Sequence, residues 1–178
     1  VQDCLTKINF SSKHLLMLIN DILDMSQIES NKMKLQNEEF DIYQFINSFV
    51  ITVYSQAKAK HLEFEESITG FSEGSEYYGD SLRIGQILLN LVSNAIKFTP
   101  EGGSVFLKVD KLVTMKSVDI IRFEVTDTGI GMSEEVQERI FAPFEQADSS
   151  IASKFGGTGL GMSITKNLVM LMDGKIYV

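Results

Sequence analysis

Among its 178 residues the chain has one cysteine, Cys4, which rules out an internal disulfide and suits a reducing compartment. Cys4 itself reads as a bundle or surface residue with no redox role. Basic residues are also few: 16 Lys and Arg against 24 Asp and Glu leave a net charge of −8, which argues against nucleic acid as a partner. The acids are spread along the chain and form no tail, so an anionic ligand has to be held by local groups. No apolar run reaches the length of a membrane span and no signal-peptide pattern opens the stretch, so a cytoplasmic segment without direct membrane contact is expected. Internal repeats and low-complexity tracts are missing as well. What the chain does have is core material. A hydrophobic content of 44% over 178 residues suffices for one domain of ordinary size plus an extension.

The apolar pattern divides the chain. From the start to about Glu29, Ile8, Leu15 and Ile22 recur every seven residues, Ser12, Ile19 and Ser26 interleave with them, and Leu16 and Leu23 widen the stripe. One helix cannot bury that stripe alone. It either packs on its own domain or enters a bundle of two chains with two helices each. Ser30 to Glu39 reads as a polar connector in which Met33 and Leu35 pack locally, and Asp41 as the cap of a helix from Ile42 to Lys60. Leu62 to Ile68 alternates as a strand, Gly70 to Gly79 reads as a polar loop, and Asp80 precedes a further helix. Val105 to Val113 and Val118 to Val125 are expected as antiparallel strands joined by a short turn, with Leu107, Val109, Phe123 and Val125 facing a core.

The chemistry concentrates in the second half. Gly156, Gly157, Gly159 and Gly161 precede an apolar helical pattern from Met162 to Met172. Glycines let backbone N–H groups turn toward an anion, and a helix start adds unpaired donors and a positive dipole end. A tight turn without a ligand is the alternative. A second glycine element, Asp127-Thr-Gly129-Ile-Gly131, follows the alternating stretch Ile121 to Val125. Asp127 either bonds the N–H groups of its own turn or accepts from an adenine amino group. Upstream, Asn90 and Asn94 share one face of a helix whose apolar side is Leu88, Leu91, Val92 and Ile96. Two such amides are either surface residues or hard oxygen donors suited to Mg²⁺ beside nucleotide phosphates.

In their order and spacing, the Asn90/Asn94 helix, Asp127-Thr-Gly-Ile-Gly131, Phe141-Ala-Pro-Phe144 and Gly156-Gly-Thr-Gly-Leu-Gly161 resemble those of a two-component sensor histidine kinase. The resemblance runs from about Lys7 to Val178. It covers the second helix of the dimerisation domain and the ATP-binding catalytic domain, whose nucleotide-binding fold is shared with DNA gyrase and the large heat-shock chaperones. It implies an α+β fold: a two-layer α/β sandwich with a mixed, mainly antiparallel sheet and helices on one face, preceded by a long helix of a dimeric four-helix bundle. The corresponding divisions are 1–30 for the bundle helix, 31–39 for the connector and 40–178 for the catalytic domain. The first bundle helix and the final strand are expected outside this stretch.

The resemblance also implies roles. Asn94 is the expected Mg²⁺ ligand and Asn90 its neighbour near the phosphates of ATP. Lys97 is a phosphate contact or, alternatively, a helix-end cation favoured by the dipole. Phe98 matches an aromatic position beside adenine, Asp127 the acid that reads the adenine amino group, and Gly129 and Gly131 the glycines that let the base approach the backbone. Gly157, Thr158, Gly159, Leu160 and Gly161 match the second glycine box, and Lys154, on a lid from Glu145 to Phe155, either reaches the phosphates or is an exposed loop residue without a role. Phe141 and Phe144 are expected to pack and anchor that lid. In ATP-hydrolysing relatives the residue at position 90 is a glutamate that activates water, and Asn90 cannot serve as that base.

Neither His14 nor His61 matches the phosphoacceptor, so the chain is expected to donate phosphate to a histidine elsewhere and to be unable to phosphorylate itself. The implied partners are a second copy through the N-terminal helix and a response-regulator receiver domain. A gyrase-like ATP-driven clamp and a dimerising scaffold with a relic pocket are the alternatives. Two positions depart from the usual pattern: Ser153 stands where a basic lid residue is common, and Gly85 interrupts a helix at about 1 kcal/mol relative to Ala.

Overall fold

The computed structural model describes residues 2–115, 118–144 and 159–178. The chain divides into two compact units, one from Leu35 to Ser133 and one made of the residues before and after it.

In the 35–133 unit the chain enters through β1 (Glu38–Asp41) and passes directly into α2 (Ile42–Ala59). Asp41 makes that junction. One carboxylate oxygen accepts from the Gln44 N–H at 3.0 Å, capping the helix, and the other accepts from the Gly74 N–H at 2.7 Å. These backbone donors hold its carboxyl below the ordinary value, the Gln44 N–H being the largest influence. β2 (Glu63–Thr69) and β3 (Glu76–Gly79) follow, then α3 (Ser81–Phe98), β4 (Ser104–Met115) and β5 (Val118–Asp127).

α3 starts at Asp80, which is buried at 4% exposure; its carboxylate accepts from the Arg83 N–H at 3.0 Å and from the Gln36 N–H at 2.8 Å. The cap expected at Asp41 is therefore present, and Asp80, placed by the sequence just before its helix, caps that helix as well. Each also binds a distant backbone N–H.

The main sheet has the order β2-β4-β5, with β2 parallel to β4 and β4 antiparallel to β5. Val105 stands opposite Asp127, and a bulge between Lys111 and Val113 shifts the register near the far end. The strand side chains alternate as expected. Phe64, Val105, Leu107 and Val109 are buried with Ile42, Ile46, Val53 and Ala57 of α2 and Leu88, Val92 and Ile96 of α3, and Phe123 and Val125 are partly buried against them. Both helices thus cover one face of the sheet. Burying each Leu, Ile, Val or Phe side chain contributes about 1.5–3 kcal/mol, which makes this layer the main source of the unit's stability.

On the other face, Asp110 is enclosed by two cations, Arg122 at 2.6 Å and Lys108 at 3.1 Å, and by the hydroxyl of Thr69, which donates to it. Its carboxyl is held well below the usual carboxylate range, first by the Thr69 hydroxyl and then by Arg122.

Two expectations need correction here. The 70–79 stretch is not all loop and the 30–39 stretch is not all connector, because β1 and β3 pair antiparallel, Glu38 opposite Gly79 and Asp41 opposite Glu76. Four-residue strands with the sequences Glu-Glu-Phe-Asp and Glu-Tyr-Tyr-Gly carry too little alternation to be read without the partner.

In the other unit α1 runs over Gln2–Glu29, matching the expected length, and ends with Asn31 at φ 51. Asn is one of the few residues that tolerate this left-handed position after a helix. A short helix that the sequence reading passed over, α4 (Glu134–Arg139), follows Ser133, and α5 (Gly161–Leu171) completes the chain's described elements. No helix among the described residues is long and apolar enough to cross a membrane.

Candidate functional site

Three stretches of the 35–133 unit converge: the second half of α3, the turn after β5 and the loop between α3 and β4. On α3 the buried stripe is Ile87, Leu88, Val92, Ala95 and Ile96. Asn90 and Asn94 lie one turn apart and are half-buried. Lys97 and Phe98 close the helix, the Lys97 ammonium lying 4.8 Å from the centroid of the Phe98 ring. Partial burial lowers the Lys97 pKa from its ordinary value.

The end of α3 is tightly closed. Thr99 is fully buried, and its N–H and hydroxyl both donate to the Ala95 carbonyl, at 3.0 and 2.7 Å. One helix-end cation is Lys60, from the end of α2: its ammonium donates to the carbonyls of Ile96, Lys97 and Thr99, each at 2.7 Å. A cation from a residue 37 positions away in sequence thus joins Lys97 at the negative end of this helix.

Asp127 stands at the exposed end of β5, and its carboxylate accepts from the Gly129 N–H at 2.8 Å. That is the turn-forming option of the two open in the sequence. It uses one carboxylate oxygen, so the acid retains further acceptor capacity.

Gly129 is required by a neighbour rather than by its own dihedrals. A Cβ built there would stand 2.8 Å from the Phe98 carbonyl oxygen and 3.1 Å from its carbon. The turn carrying Asp127 is thus packed against the end of the helix carrying Asn90, Asn94, Lys97 and Phe98. Gly131 differs: its φ is +67 and nothing lies within 4 Å of its Cβ position, so conformation, not crowding, calls for glycine. Thr128, which the sequence reading did not single out, accepts from the Ser104 N–H at 2.9 Å and ties the turn to the start of β4.

The second glycine box lies in the other unit. Gly159 has φ +71, and its carbonyl accepts from the Phe144 N–H at 3.1 Å. Leu160 is buried, and Gly161 opens α5. Leu160 occupies the N-cap position, where it makes no side-chain cap hydrogen bond. Phe144, expected to pack, is instead 72% exposed and left-handed at φ 63; its anchoring contact is through the backbone. Phe141 lies under the Lys166 ammonium, 5.6 Å from ring centroid to Nζ. Lys154, Gly157, Thr158 and the whole of the lid expected over Glu145 to Phe155 fall outside the described residues.

Residues 79–178 match the family described as histidine kinase-, DNA gyrase B-, and HSP90-like ATPase. The chain belongs to this family. It is 40% identical over 171 residues to the circadian input-output histidine kinase CikA of Synechococcus elongatus, covering 96% of this chain and 22% of that protein. It is 39% identical over 169 residues to the autoinducer 2 sensor kinase/phosphatase LuxQ of Vibrio vulnificus, covering 94% of this chain and 20% of the relative. The chain therefore spans about a fifth of the length of these curated relatives. Among solved structures, full-length ShkA in complex with AMPPNP superposes with a TM-score of 0.76 at 30% identity, over 97% of this chain and 34% of that one. The α+β architecture is that of the histidine kinase ATPase fold.

Proposed function

We propose that this chain is the ATP-binding catalytic region of a two-component sensor histidine kinase, which binds Mg²⁺-ATP and passes the γ-phosphate to a histidine on a helix outside this stretch. The observation that carries the reading is the packing of Gly129 on the Phe98 carbonyl. It places the carboxylate of Asp127 beside the helix end that bears Phe98 and Lys97. The likeness to histidine kinases favours this over a gyrase-like clamp, and so does Asn90, whose amide cannot take a proton from water.

In this reading Asp127 accepts from the adenine amino group while its other oxygen holds the turn. Phe98 flanks the base, and Lys97 is assigned to the phosphates. Asn94 offers a neutral, hard oxygen that fits a Mg²⁺ bound chiefly through phosphate and water. That ion would supply charge neutralisation. The protein's share is positioning, as expected for phosphoryl transfer. Residues 1–30 act as bundle helix, 31–37 as connector and 38–178, from β1 onward, as catalytic domain. The exposed Leu15, Ile19, Ile22 and Leu23 of α1 face a second copy in this reading, and the transferred phosphate is destined for a response-regulator receiver domain.

Calorimetric titration with AMPPNP, with and without Mg²⁺, tests the proposal. Asp127→Asn keeps an acceptor for the Gly129 N–H but loses the charge, and is expected to weaken binding about tenfold. Asn94→Ala should erase the gain from Mg²⁺. Binding indifferent to both substitutions would sink the assignment. With labelled ATP alone the chain should acquire no acid-labile phosphate, since neither His14 nor His61 matches the acceptor.

A further inference from the structure

Lys60 ends α2, yet its side chain serves the end of α3. Its three bonds to the carbonyls of Ile96, Lys97 and Thr99 use every proton of the ammonium, so none is left for a ligand. These are carbonyls that a helix terminus leaves without an N–H partner, where its partial negative charge collects.

The corner bearing Lys60 is itself fixed. The Lys60 and Leu62 N–H groups both donate to the Ala57 carbonyl at 3.0 Å, and His61 between them is held at φ 56. From the facing loop, the Gly102 N–H donates to the His61 carbonyl at 3.1 Å, while the Glu63 N–H donates to the Gly103 carbonyl at 2.9 Å. Corner and loop are one hydrogen-bonded block within the 35–133 unit. Phe98 lies between the residues that Lys60 grips, and its carbonyl is the one on which Gly129 rests.

We propose that Lys60 is a positioning residue for the nucleotide site: by gripping the carbonyls of Ile96, Lys97 and Thr99 it sets Phe98 and Lys97 against the Asp127–Gly131 turn, and so sets nucleotide affinity without contacting the nucleotide. The inference rests on the nucleotide-binding reading above. Without the cation, the three carbonyls must find water, and the last turn of α3 has to rotate outward to reach it. That moves the Phe98 carbonyl away from Gly129.

Two readouts separate this role from general stabilisation. In the ligand-free protein, the amide NMR signals of Thr128 and Gly129 should shift in Lys60→Met and return toward their wild-type positions in Lys60→Arg. In titrations with AMPPNP, Lys60→Met should raise the Kd about tenfold, and this increase should shrink to less than about twofold in a Gly129→Ala background, where the contact with the Phe98 carbonyl through which Lys60 acts is already lost. Should Lys60→Met fail to fold, Lys60→Gln, which keeps two donors, takes its place.

An unmoved Gly129 signal in a folded variant overturns the proposal, as does an equal increase in Kd in both backgrounds. A wild-type chain that binds no AMPPNP overturns the nucleotide reading and the claim about affinity with it, while the amide signals still report whether Lys60 places the turn.

Discussion

Replacing Gly129 by alanine tests whether the Asp127 turn and the end of α3 form one unit. The new methyl carbon would stand 2.5 Å from the Asp127 carboxylate oxygen, 2.8 Å from the Phe98 carbonyl oxygen and 3.1 Å from its carbon. The Asp127 side chain can swing aside, at the loss of its 2.8 Å bond from the Gly129 N–H. The Phe98 carbonyl is backbone, flanked by the carbonyls that Lys60 holds, and has little freedom to yield. Overpacking of this kind costs about 1–3 kcal/mol, and the lost surface hydrogen bond adds roughly 0.5 kcal/mol. At a urea slope of about 2 kcal/mol per molar, the unfolding midpoint should fall by about 1 M with the slope unchanged. Affinity for AMPPNP should fall about tenfold or more, since the turn is displaced by a large part of an ångström.

Gly131→Ala is the control. It meets no atom within 4 Å and should cost only about 1 kcal/mol through its φ of +67. A Gly129→Ala protein with wild-type midpoint and affinity, beside a destabilised Gly131→Ala, would show that the turn does not rest on α3.

Gly85 lies within α3 with the Phe45 ring 3.6 Å from its Cβ position, an ordinary contact, so Gly85→Ala should raise stability by up to about 1 kcal/mol in urea denaturation. Asp110 has a folded pKa below its unfolded one, so its contribution is present above the unfolded value and lost as pH falls toward the folded one. Asp110→Asn should therefore be less stable near neutrality and lose less stability than wild type below about pH 4, as followed by circular dichroism. Ile22 is 58% exposed on α1, and Ile22→Glu should shift a dimer toward monomer in sedimentation without altering AMPPNP affinity.

Much of this protein is written in short-range pattern. Asp41 and Asp80 announce their helices because a cap acts on N–H groups two or three residues on, and the four-residue spacing of Asn90 and Asn94 suffices to place both on one helix face. The alternation of Val105, Leu107 and Val109 places their side chains in the core for the same local reason. Gly131 is legible too, since a left-handed φ is a property of one residue.

Other features depend on what the fold brings from afar. β1 and β3 are strands because Glu38 finds Gly79, and neither segment's composition says so alone. Gly129 reads as another turn glycine until Phe98 is seen beneath it. Phe144 looks like a packing residue in sequence and proves exposed. Lys60 could not be singled out at all: it reads as one more surface lysine at a helix end, and its carbonyl partners lie 36 to 39 residues away. Caps and periodicities arise from interactions within a helical turn or a strand, so the sequence carries them. The close approach of one backbone to another arises only when the hydrophobic layer has set α2, α3 and the sheet in place.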